Sequence, residues 1–202
     1  MSKILPIRIY GDPILRMPAV KVPLILPELR TLAEDMIATM QRARGVGLAA
    51  QQVGRIEAIC VVDMPLECDY VEEEGPRLNP DITFPLVLMN PEILETSRKK
   101  CEMDEGCLSF PDIRGAVKRH WSIWVRYLGL DGDMHETWFH GYLARIIQHE
   151  MEHLAGDLFI DRFSHVKKLA VRNRLRLLQK DTMEKIEYER SAAPPEYSQP
   201  EE

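Results

Sequence analysis

Leu29, Leu32, Ala33, Met36, Ile37 and Met40 recur at helical spacing, so one apolar stripe runs along a helix that Pro27 can start and Gly45 can stop. Ahead of it, residues 1–26 are punctuated by prolines and read as an extended, irregular arm. Residues 56–63 (IEAICVVD) are apolar and β-branched and predict a strand. Residues 65–80, with Glu72, Glu73 and Glu74 in a row, predict a solvated loop. The span 86–104 predicts two or three short strands broken near Asn90-Pro91. Residues 122–128 alternate, GLDG at 129–132 turns the chain, and 133–138 completes a hairpin. A strong helix is expected over about 139–154, closed by Gly156, and a second from about 164 into the 180s. In the second, Val166, Leu169, Ala170 and Leu177 are expected to pack on the core. Strands in the middle with a helix before and after them predict an α+β fold with mixed or antiparallel sheets. Residues 1–180 are expected to form a single catalytic domain, and 181–202 an acidic tail that is disordered by composition.

Composition narrows the class. The 202 residues are 45% hydrophobic and 29% charged, which excludes a mainly disordered, collagenous or coiled-coil chain. The net charge of −6 disfavours non-specific nucleic-acid binding, and no sequence-specific nucleic-acid partner is expected. Lys3, Arg8, Asp12 and Arg16 interrupt the start, so no secretory signal is read there, and no stretch reaches the length of a membrane span. The expected compartment is a reducing cytoplasm, with Cys60, Cys68, Cys101 and Cys107 as free thiols and no membrane partner.

The chemistry lies in QHEMEHLAG. His149, Glu150 and His153 follow the H-E-x-x-H pattern, which sets both imidazoles on one helix face with a carboxylate beside them as general base. Tyr142, Leu143, Ile146, Ile147 and Leu154 wrap the same helix in apolar residues, so it is buried, and buried polar groups need a partner such as a divalent metal. The third ligand stays open at this level. Phe159 stands where a metzincin needs histidine. Downstream, His165, Asp157 and Asp161 are candidates; upstream, Cys107 lies in a turn-like setting in EGCLS and would complete a three-ligand site with an open position. GVGLAAQQVG at 45–54 reads as a tightly packed loop and not a dinucleotide fingerprint, because it follows a helix.

Together, GVGLAAQQ (45–52), EGCLS (105–109) and QHEMEHLAG (148–156) resemble the peptide deformylases, hydrolases that remove the formyl group from nascent N-formylmethionyl chains. The resemblance implies that the H-E-x-x-H helix packs centrally against the sheets. It implies that Cys107, His149 and His153 bind one divalent metal, most often Fe²⁺, with Zn²⁺, Ni²⁺ or Co²⁺ able to substitute. It implies that Glu150 is the catalytic acid/base, and that Gln52 and the Leu108 N–H line an oxyanion hole. Val46, Leu108, Ile146 and the ring of His149 would line a methionine pocket, with the peptide paired along Gly47 and Gly106 and Arg114 further out. Glu105 is a candidate to orient a ligand. The alternatives are a zinc endopeptidase using a downstream carboxylate, or a catalytically silent binding protein of the same fold.

One charge feature remains. Residues 163–180 carry Lys167, Lys168, Arg172, Arg174, Arg176 and Lys180 and no acid. The plain expectation is a solvated helix; the sharper one, which the resemblance also suggests, is docking on the ribosome.

Overall fold

A computed structural model describes residues 2–71 and 75–192; Glu72, Glu73 and Glu74, and the last ten residues of the expected tail, lie outside the described residues. The N-terminal arm leads into α1 (Pro27–Arg42), which buries Leu29, Leu32, Ala33, Met36 and Met40, the stripe read from its spacing. Then follow β1 (Gly47–Ala49), β2 (Ile59–Val62), β3 (Leu86–Thr96), β4 (Lys100–Gly106), β5 (Arg114–His120), β6 (Ser122–Leu128) and β7 (Met134–His140). α2 (Gly141–Ala155) and α3 (His165–Ala192) close the chain. The fold is α+β. Five strands form one sheet in the order β1-β2-β3-β6-β7, and β4 and β5 form a second; every strand pair is antiparallel.

Four expectations are corrected. β3 is not broken at Asn90-Pro91 but bulges there, its register to β6 shifting between Met89 and Glu92. Asn90, at φ +49°, bonds Val22 N–H and C=O through its side-chain amide, so the arm fastens the bulge. β1 and β5 are strands where none was expected. The tail begins later than residue 180, because α3 runs on to Ala192. Within α3, Val166, Leu169 and Leu177 do not pack on the core: they are 76, 54 and 62% exposed, and Ala170 is exposed too.

Three apolar clusters set the layers. One lies between α1 and the large sheet, with Met36, Met40, Leu48 and Val61. A second lies between α2 and the same sheet, with Val62, Leu88, Ile123, Phe139, Leu143 and Ile147. A third, with Leu15, Phe110, Val117, Phe159 and Val171, joins the small sheet to α3. α2 therefore touches both sheets, and Gly156 ends it in the left-handed conformation that only glycine adopts at no steric cost. A Cβ there would lie 2.6 Å from the Arg16 carbonyl oxygen, because the N-terminal arm crosses that end of the helix.

Candidate metal centre

His149 and His153 lie one turn apart on α2, and Cys107 sits in the turn just past β4. Their three donor atoms all lie within 4.8 Å of one another, with Cys107 Sγ 3.3 Å from His153 Nε2. This is a candidate metal site built from a thiol and two imidazoles. Among the described residues no other group of three or more ligating side chains converges in this way. The downstream candidates are elsewhere: Asp161 is held by Arg16 and by the Leu158 N–H, and His165 borders a groove on α3.

His149 is fixed from behind, whereas the buried Nδ1 of His153 has no hydrogen-bond partner among the described residues. Glu105 Oε2 accepts from His149 Nδ1 at 3.1 Å, which leaves Nε2 of that ring free to face the cluster. Glu105 is itself clasped by Arg119 through two bonds of 2.7 and 2.8 Å and by Arg145. Arg119 also reaches Glu152 at 2.7 and 3.0 Å, and Arg162 pairs with Glu152 from the other side. Burial alone would push the Glu105 carboxyl up; the hydrogen bonds of His149 and Arg119, and their charge, bring it down to about 2.

Glu150 is of a different kind. Its side chain is buried and its Oε2 has no hydrogen-bond partner among the described residues. Burial pushes its carboxyl up to about 7, against the pull of His149 and Arg119. Gly47 faces it so closely that a Cβ would overlap the carboxylate and come within 2.8 Å of Ile146. Gln52, in the 3-10 turn Ala50–Val53, accepts the Ala49 N–H on Oε1 at 2.8 Å. That bond aims Nε2 at Cys107 Sγ (3.4 Å) and Ser109 Oγ (3.3 Å). The arm supports both site loops: Arg8 N–H donates to Gln52 C=O and Tyr10 N–H to Ser109 C=O.

Val46, Gly47, Gln52, Gly106, Leu108, Arg114 and Ile146 join Cys107, His149 and Glu150 around one cleft of about 600 Å³. Arg114 stands at its exposed rim, bonded to Asp104 at 2.7 Å, and Gly106 makes room for it. A second cleft of about 440 Å³, at Tyr127 and His135, holds none of these residues. The sequence reading missed Arg119, Arg145, Glu152 and Ser109. A signal for two of them was present: Arg145 and Glu152 are charged positions on a helix expected to be buried.

A family model described as Polypeptide deformylase matches residues 4–169. The chain belongs to the polypeptide deformylase family. It is 43% identical over 176 residues to the peptide deformylase of Opitutus terrae, covering 86% of this chain and 92% of that one. The peptide deformylase structure from Ehrlichia chaffeensis superposes with a TM-score of 0.78 at 30% identity, covering 90% of this chain and all but 1% of that one. A class I type b enzyme from Acinetobacter baumannii, solved with Met-Ala-Ser bound, gives a TM-score of 0.71 at 42% identity, over 81% of this chain and 100% of its own. The chain is thus a hydrolase that removes the formyl group from the amino end of new polypeptides.

Proposed function

We propose that deformylation takes place in the cleft at Cys107, His149 and His153, with Glu150 as acid/base. The observation that carries this is the meeting of three ligand atoms beside a buried carboxylate with an unpartnered oxygen. A thiolate with two imidazoles suits Fe²⁺, Co²⁺ or Zn²⁺ better than Mg²⁺, and the family resemblance favours Fe²⁺, with Ni²⁺ also able to substitute. When bound, such an ion supplies positive charge that polarises the formyl carbonyl and acidifies water. Glu150 takes the proton of the attacking water and passes it to the leaving amine, so that formate and a free amino terminus result. Gln52 Nε2 and the Leu108 N–H, two residues past the end of β4, donate to the oxyanion. Val46, Leu108, Ile146 and the ring of His149 receive the methionine side chain. The peptide lies extended between Gly47 and Gly106, where two strand edges face each other, and Arg114 meets its later residues.

Residues 1–180 form the catalytic unit in this reading, with the H-E-x-x-H helix at its centre, and the substrate places it beside the cytoplasmic ribosome. No helix among the described residues is long and apolar enough to cross a membrane. Arg172, Arg174 and Arg176 are exposed and make no ion pair among the described residues, as docking to ribosomal phosphate requires.

Anaerobic purification with metal analysis, followed by assay on formyl-Met and acetyl-Met peptides, tests the reading. One divalent ion per chain and turnover of the formyl peptide are expected, with acetyl poor because its methyl would stand beside Gly47 and Glu150 where the formyl group has only a hydrogen. Comparable kcat/KM for the two would overturn the pocket assignment. Unchanged ribosome affinity across a salt series after Arg172, Arg174 and Arg176 are changed to Gln would overturn the docking.

A further inference from the structure

α1 and α2 end on the same backbone motif, built with different residues. At the end of α2, Gly156 N–H donates to the His153 carbonyl and Asp157 N–H to the Glu152 carbonyl. At the end of α1, Arg44 N–H donates to the Gln41 carbonyl and Gly45 N–H to the Met40 carbonyl, with the same spacings. The residue in the middle of this motif takes the left-handed conformation and is commonly glycine, because a Cβ is strained there. Gly156 follows that preference; α1 has Arg44 instead, at φ +56°. Asn and Asp bear such a conformation by bonding their own backbone, which arginine cannot do as readily. A strained position of this kind points to what its side chain is placed beside.

Arg44 borders the catalytic cleft, is exposed, and makes no ion pair among the described residues. The wall it belongs to starts at Gly47, against Glu150. It runs back through Val46 and through Gly45, where a Cβ would lie 2.7 Å from Leu108 Cδ1, to Arg44 at the mouth. A peptide whose formyl group meets Glu150 and whose methionine meets Val46 brings its next two residues level with Arg44, since three extended residues span about 10 Å. The other cations of the cleft are occupied: Arg114 holds Asp104 at 2.7 Å, and the buried Arg145 holds Glu105. Asp112, exposed and without an ion pair among the described residues, makes the wall opposite Arg44 net acidic at its mouth.

We propose that Arg44 selects among substrates, favouring formyl-Met chains that carry an aspartate or glutamate as the second or third residue. Its guanidinium donates to that carboxylate from one wall of the cleft, while Asp104 and Asp112 turn the carboxylate away from the other. The pair forms in open solvent, so the selection is modest and weakens as salt screens it. This inference rests on the peptide path between Gly47 and Gly106 proposed above, and it adds the chemical class of chain that the path takes best.

Formyl-Met-Asp-Ala and formyl-Met-Ala-Asp, with amidated carboxyl ends, are assayed against the same peptides with Asn in place of Asp. At one of the two positions the full chain should prefer Asp by about twofold to fivefold in kcat/KM at low salt. The ratio should approach one at high salt. Arg44→Gly should bring it to one at low salt as well, with a thermal unfolding midpoint no lower than that of the parent chain, because glycine suits this φ. Arg44→Glu should invert it. A merely structural Arg44 would shift stability, or all four peptides alike, and leave the ratio in place. Equal turnover of Asp and Asn peptides at both positions overturns the proposal. So does a preference for Asp that survives Arg44→Gly. Undiminished turnover in Glu150→Gln would overturn the cleft reading itself, and this proposal with it.

Discussion

α2 and α3 follow one another in the chain and have little else in common. Eleven of the fifteen residues of α2 are buried, and the charged ones among them are tied down: Arg145 to Glu105, Glu152 to Arg119 and Arg162. α3 is nearly twice as long, yet Val171 is its one buried side chain among those described. In α2 hydrophobic burial is the default, so each polar residue is kept in place by a specific partner, because an unpaired one would be costly. In α3 solvent is the default, so a charged residue needs no partner there. The same residue type therefore carries opposite information in neighbouring helices. Glu150 and His153 depart from the rule for α2, with a carboxylate oxygen and a ring nitrogen that nothing among the described residues satisfies, and both stand where the proposed function places the chemistry.

Substitutions in the two helices should differ in size accordingly. Glu150→Gln is expected to lower kcat by roughly 10²–10⁴ while keeping its metal, since the carboxylate is not a ligand. Cys107→Ala should instead empty the site, and metal analysis of the two variants separates the roles. Arg119→Met leaves Glu105 and Glu152 without the cation between them, and denaturant titration should show a loss of about 3–5 kcal/mol. In the wild type, the Glu105 contribution is present above the ordinary carboxylate range and fades as pH falls toward about 2. Without Arg119 the folded carboxyl titrates higher, so that acid loss should be smaller and complete at a higher pH. Ile147→Ala, in the apolar wall of α2, should cost roughly 2–5 kcal/mol. Leu177→Ala should stay within about 0.5 kcal/mol. If Leu177→Ala cost as much as Ile147→Ala, the contrast between the two helices would be wrong.

The parts legible in the sequence were those whose pattern is local. The α1 stripe, the β6–β7 hairpin and the two histidines one turn apart each follow from spacing within a few residues. β5 was invisible for a physical reason: its inward positions are Gly115, Val117 and Arg119, so the alternation of burial is not an alternation of hydrophobicity. β1 is three residues of Gly-Leu-Ala, all buried, with no polar face to betray a period. Asn90-Pro91 reads as a break, and becomes a bulge only because Val22, far away in sequence, bonds the Asn90 side chain. Cys107 had no local mark as a ligand; resemblance singled it out, and the fold carries it to the histidines. The Arg119 network joins residues of β4, β5 and α2 and could not be assembled before the sheets were known.

The crossing of the N-terminal arm over the end of α2 has a consequence for how the chain is made. Arg16 bonds Asp161, 145 positions later, at 3.0 Å, and Ala19 N–H donates to the Leu154 carbonyl. Residues made early thus find their partners among residues made more than a hundred positions later. Long-range closures of this kind raise contact order and slow folding. Until about residue 160 has emerged, the arm lacks the end of α2 on which it lies, and the loops of Gln52 and Ser109 wait with a partly anchored arm. Synthesis from the amino end therefore leaves the catalytic cleft unfinished until nearly the whole domain is outside.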